Sequence, residues 1–280
     1  MNLRSKLLFL AGLFLTVVLI SCNKDDDNQD PQPSGAILPS VITYTKSASS
    51  MPDAVVNTAV IKFEYDIRDR ISKMHSELFD NGVSRGFAST LAFTYNDNGN
   101  ITTDLTRTDA VNLSDRTLFY CTESEVVRTG NQNSTIKIDQ NLRALNYRSY
   151  NNTTNYEFAY DAAGNATSIT TKLIEAQTTH VYTLKPGQSN GVFRNVKTPA
   201  WYITTQMGTG STLDAFFGLG EIAYQHLTNN CIESIEVDGN IVYEYNYTYN
   251  SDNYPTQIIR NPNFTGGEYV RYEIEYTIAQ

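Results

Sequence analysis

Residues that usually carry chemistry are scarce in this chain, which has three histidines, three cysteines and one tryptophan in 280 residues. His75, His180 and His226 fall at no metal-ligand spacing, and no cysteine or carboxylate pair stands beside them. They read as surface side chains, and no metal is expected. No phosphate-cradling glycine loop or dinucleotide fingerprint is read, no serine elbow is expected, and no cofactor follows. Carboxylate pairs of the glycosidase kind are defined by distance in space, so hydrolysis of an extracellular polymer stays open as the enzymatic alternative. Positive charge is also short, with 21 Lys and Arg against 30 Asp and Glu and a net charge of −9. Such a chain lacks the basic patch that phosphate backbones need, which excludes nucleic acid as a partner. After residue 20 no apolar run approaches the roughly 20 residues of a membrane-spanning helix.

The first 22 residues supply what the remainder lacks. Basic Arg4 and Lys6 precede an apolar run from Leu7 to Ile20, and the small Ser21 precedes Cys22. That run matches the core of an export signal and is short for a membrane span, although an uncleaved helical anchor is the other reading. Leu19, Ile20, Ser21 and Cys22 resemble the lipobox of bacterial lipoproteins. The resemblance implies a diacylglycerol on the Cys22 thiol, removal of residues 1–21 and a membrane partner held through lipid. At about 0.8 kcal/mol per buried methylene, two or three acyl chains make such an attachment effectively permanent. Loss of the leader, with its two cations and no acid, takes the charge from −9 to −11. Lys24, Asp25 and Asp26 resemble the surface-export signal of Bacteroidota lipoproteins, although a solvated spacer needs the same polarity. Pro31, Pro33 and Pro39 extend this into a tether over residues 22–40, leaving residues 41–280 as one domain.

That domain is rich in aromatics, with 19 Tyr and 12 Phe in the whole chain, and its dominant pattern has period two. Four turns share one form. They begin at Tyr65, Tyr95, Tyr160 and Tyr249, each followed by Asp66, Asn96, Asp161 or Asn250, with Asp69, Gly99, Gly164 or Asn253 four positions after the tyrosine. Gly, Asn and Asp tolerate positive φ, so each stretch predicts a tight reversal. Two and four positions before each tyrosine stand Phe63 and Ile61, Phe93 and Leu91, Phe158 and Tyr156, and Tyr247 and Tyr245. The positions between them are mostly polar, so each strand has one buried and one wet face. Tyr272, Ile274, Tyr276 and Ile278 repeat the alternation in the last strand, and Ile138, Asp139 and Gln140 start a weaker copy.

The stretch Tyr160 to Asn165 and its relatives resemble the YD repeats of the RHS family. Lipobox, acidic tether, hairpins and late Tyr-rich strand together resemble a Bacteroidota lipoprotein family of unknown function with a porin-like fold. The expected fold is all-β, an antiparallel hairpin meander rolled into a curved sheet or barrel-like body with its apolar faces inward and not in lipid. Helical spacing of Leu213, Phe216, Phe217, Ile222 and Leu227 predicts a short helix near 212–227 that covers the open side. Trp201 and Tyr202 lie outside the hairpins, where they either expose rings to a ligand or close a core. Cys121 and Cys231 are candidates for a disulfide or for two buried thiols. The leading functional expectation is a non-catalytic module at the outer membrane that binds a glycan, peptide or envelope protein, or serves as a structural piece of the envelope.

Overall fold

The computed structural model describes residues 34–48, 55–108, 113–129, 134–148, 153–206, 222–262 and 268–279. The export signal, the lipobox with Cys22, the export motif Lys24, Asp25 and Asp26, and most of the tether lie outside them. So does the stretch 212–221 of the expected helix.

The described strands are β1 (Ile37–Ala48), β2 (Val55–Tyr65), β3 (Ile71–Asp80), β4 (Val83–Tyr95), β5 (Ile101–Thr108), β6 (Leu113–Cys121), β7 (Glu125–Thr129) and β8 (Ser134–Ile138). They continue with β9 (Ala144–Arg148), β10 (Thr154–Tyr160), β11 (Ala166–Leu173), β12 (Thr178–Asn190), β13 (Asn230–Val237), β14 (Asn240–Tyr249), β15 (Pro255–Pro262) and β16 (Glu268–Ile278). Each pairs antiparallel with its neighbours in the chain, and β1 pairs with both β2 and β16. The sheet therefore closes into a 16-stranded barrel with no free edge. β1 begins at Ile37, so Pro39 belongs to the wall and the tether ends earlier than residue 40.

Register separates the two faces. Phe63 pairs with Met74, and Met74 with Leu91, all three pointing inward and nearly inaccessible. One residue along, Glu64 pairs with Lys73 on the outside, 2.7 Å apart as an ion pair. Lys172 with Glu157 and Lys185 with Glu236 repeat this on later strands. Exposed pairs of this kind contribute about 0–1 kcal/mol each, so their main consequence is a charged outer wall. A lipid-spanning barrel has the opposite polarity, an apolar outer band around a polar lumen. The inward set of β16 is buried at Tyr272 and Ile274, but Ile278 at its end is exposed, contrary to the expected alternation.

Even-numbered strands end, and odd-numbered ones begin, at one rim, where the repeated turns lie. Asp66 accepts main-chain N–H bonds from Arg68 and Arg70 at 2.9 and 3.0 Å, and Asp161 accepts one from Asn165 at 2.8 Å. Asn96 and Asn250 do the same for Asn100 and Tyr254. Asp69, Gly99, Gly164 and Asn253 all have positive φ, as their side chains suggested. The tyrosine hydroxyl has a specific target. Tyr65, Tyr95 and Tyr160 donate to the carbonyls of Pro39, Ile71 and Ala144 in the preceding strands, at 2.6, 2.7 and 3.0 Å. Tyr249 instead stacks on Tyr247, whose hydroxyl donates to Ile232.

The weak copy at Asp139 forms a complete fifth turn. Asp139 accepts from the main chain of Asn141 and Arg143, and Leu142 takes φ 57° where the other copies have Gly, Asn or Asp. At the opposite rim, Asn81-Gly82 and Asp238-Gly239 have positive φ at both residues, the geometry of tight hairpins that glycine accepts without a Cβ clash.

Between β12 and β13 the chain leaves the wall and carries two short helices, α1 (Ala200–Gln206) and α2 (Ile222–His226). The latter is the described part of the expected helix; α1 falls where only loop aromatics were read. Trp201 and Tyr202 are 0% and 2% exposed, which corrects any role in stacking on an external ligand. Their rings meet Phe119 and Phe93 edge-on at 5.2 and 5.0 Å. Trp201 Nε1 donates to Asn100 Oδ1 at 3.1 Å, and the Tyr202 hydroxyl to Asp104 Oδ2 at 2.8 Å.

Trp201→Ala should lower stability by about 3–5 kcal/mol, read as a fall in the urea midpoint. Tyr95→Phe, which deletes the bond to Ile71 and the longer contact with Thr198 Oγ1, should cost about 1 kcal/mol in the same measurement.

Candidate functional site

Two concavities lie at opposite ends of the barrel. At the plugged rim a cleft of about 570 Å³ is bounded by the turns after β8 and β10 and by the crossover between β12 and β13. Its charged groups are largely engaged in holding the turns. Arg143 bonds Asp139 at 2.6 Å and lies over the Tyr160 ring at 4.4 Å, while Arg194 donates to Asn190 at 2.8 Å. Asp161 is the one carboxylate in the cleft lining, and its two oxygens accept from the main chain and side chain of Asn165. Those bonds hold its carboxyl below the usual range despite the opposing effect of burial. Two carboxylates facing a common space, which glycoside hydrolysis requires, are not in this lining.

Beneath the cleft the sequence expectation for His226 fails. Both ring nitrogens are buried without a hydrogen bond, and the ring lies 4.8 Å from Phe193 in a space shared with Phe63, Ile71 and Ile222. Burial pushes its pKa down to about 4. α2 places it there, because the turn that buries Ile222 and Gln225 also brings His226 against the wall. The nearby Thr228 hydroxyl is likewise buried without a partner.

The second concavity, about 220 Å³, lies inside the wall where β10, β11 and β12 approach the loop rim, with Tyr224 of α2 at its base. Tyr156, Phe158 and Tyr182 supply aromatic surface, and Tyr156 stacks on Tyr147 at 5.7 Å. His180 lines the mouth. Its Nδ1 lies 2.8 Å from Asp238 Oδ2, while the other Asp238 oxygen accepts the Val181 N–H at 2.9 Å. These bonds, the main-chain one first, lower the Asp238 pKa. Nδ1 faces the carboxylate, which leaves Nε2 as the ring nitrogen turned to other partners. No sequence signal marked this pair, since 58 residues separate its members and closure of the sheet brings them together.

Other candidates resolve separately. Cys121 on β6 and Cys231 on β13 are free thiols and form no disulfide, because seven steps around the wall separate their strands. Each thiol donates to a nearby carbonyl, of Ile101 and Asn190, and burial raises their pKa values to about 11 and about 12. Against expectation, a Gly-x-Ser-x-Gly pattern does occur, from Gly82 to Gly86. It sits in the β3–β4 hairpin and not between a strand and a helix, and Ser84 donates to Glu77 at 2.8 Å, so the setting of a serine nucleophile is missing. Among the described residues no group of three or more His, Cys, Asp or Glu is placed to hold a metal.

No protein-family model and no curated protein matches the chain. Solved structures do. A porin-like protein from Bacteroides uniformis is 16% identical, with 86% of this chain and 97% of that one covered and a TM-score of 0.43. A porin-like protein from Bacteroides vulgatus is 13% identical, with coverage of 85% and 99% and a TM-score of 0.37. The Photorhabdus luminescens Tc holotoxin pore is 12% identical over 78% of this chain and 12% of that one, with a TM-score of 0.27.

His226 generates a pH prediction. Its folded pKa of about 4 lies below the ordinary 6.5, so between these values the unfolded chain binds more protons and stability falls with pH. Acidification from pH 7 to pH 4 should therefore cost roughly 3 kcal/mol through this residue. His226→Phe should remove that part of the pH dependence, seen as converging urea midpoints of parent and variant at pH 7 and a gap at pH 4.

Proposed function

We propose that the chain is a lipid-anchored module of the outer membrane, carried on the cell surface, which binds its ligand without transforming it. The observation that carries this reading is the polarity of the barrel. Ion pairs such as Glu64–Lys73 and Glu157–Lys172 stand on the outside of the wall, where a lipid-spanning barrel carries an apolar band. With Trp201, Tyr202 and Ile203 buried by the crossover, one end is stopped by a packed core and does not read as a pore. Lipid on Cys22 would hold such a body at a membrane without any contact between the wall and the lipid.

Ser34, the first described residue, bonds Asp69 at the plugged rim, 2.8 Å apart.

The full chain and its Cys22→Ser form, expressed in a Bacteroidota host, test the anchor. The parent should sediment with outer membranes and incorporate radiolabelled palmitate, and the variant should move to the soluble fraction without label. Retention of Cys22→Ser in membranes, or unit conductance steps from the purified parent in planar bilayers, would overturn the proposal.

A further inference from the structure

Close-packed interiors leave few voids larger than a water molecule, so the pocket beside β10, β11 and β12 is more than imperfect packing. We infer that it is a binding subsite for one neutral pyranose ring, which names the ligand class of the binding module proposed above and rests on that reading. Size gives the first argument. Pockets for drug-sized ligands span roughly 300–1,000 Å³, so about 220 Å³ admits a single ring and excludes an oligosaccharide lying along it.

Chemistry gives the second. The lining has no lysine, arginine or carboxylate, which disfavours an ionic ligand. Tyr156, Phe158 and Tyr182 line the pocket with aromatic surface, which suits the apolar C–H face of a pyranose. The polar groups are hydroxyls and one oriented imidazole, suited to a ligand edged with hydroxyls. His180, held by Asp238 through Nδ1, offers Nε2 to a sugar hydroxyl, which can donate or accept as the ring requires. An aromatic peptide side chain would use the faces but offer little to the polar groups.

Position gives the third. Thr154 begins β10, Leu173 ends β11 and His180 lies near the start of β12, so the pocket opens at the loop rim, the end of the barrel opposite the plug. A glycan end can then enter it without displacing the packed crossover.

Saturation-transfer NMR on the purified full-length protein should show magnetisation passing to at least one of the methyl pyranosides of glucose, galactose, mannose and N-acetylglucosamine. The signal should fall at least fivefold in Tyr182→Ala and in His180→Ala, and His180→Gln should recover part of it. Thermal melting should show both variants folded; His180 is half-exposed, so its removal tests the site without threatening the core. Transfer to none of the four sugars, an undiminished signal in both folded variants, or transfer to N-acetyltyrosinamide alone would each overturn the assignment. A sugar signal from a protein that Cys22→Ser does not release from membranes would sustain the subsite and sink only the anchor.

Discussion

Pairing of the first strand with the last governs the rest of this structure. A ladder of hairpins with one apolar face can bury that face only by closing or by finding a cover, and here β1 hydrogen-bonds to β16 along nearly its whole length. Closure of 16 strands creates a second problem, because a wall of that number encloses more space than its own side chains fill. The crossover between β12 and β13 meets it. Trp201 and Tyr202 bring large rings inside the barrel from the plugged rim and fix them through Asn100 of a rim turn and Asp104 of β5. The plug is therefore a consequence of strand number, not an ornament on it.

The repeated turn links these two demands. Its tyrosine ties neighbouring strands at the rim through a hydroxyl, while its second residue caps the reversal. Its last residue faces the crossover or the next ring. Asn100 accepts from Trp201, Asn165 from the Asn230 main chain, and Tyr254 from Asn195. Where the last residue is arginine, as at Arg70 and Arg143, the guanidinium lies over Tyr95 or Tyr160 and pairs with the Asp of its own turn. One short motif thus serves the wall and the plug together.

Legibility in the sequence followed the range of the interaction. Alternation in Ile61, Phe63 and Tyr65, and positive-φ residues such as Gly99, are local, and both were readable. The Asp139 turn was only half readable, because Leu142 hides the signal; tertiary contact holds it where propensity would not, with its carbonyl accepting from Trp201. His226 was misread as a surface residue, since nothing near it in the chain shows that Phe193 and Phe63 will enclose it. The choice between a disulfide and two free thiols was open for the same reason, as only strand order separates Cys121 from Cys231.

The amino-acid sequence by itself determined which face of each strand turns from water, where the chain reverses, and that its leader resembles one destined for lipid. Those properties depend on side-chain polarity and backbone freedom within about ten residues. Tertiary structure alone decided that the ladder closes, that Trp201 and Tyr202 fill it, and that His180 meets Asp238 beside three tyrosines. Such outcomes rest on contacts between distant segments, whose free energy arises only when the closed wall removes both partners from solvent or holds them in register.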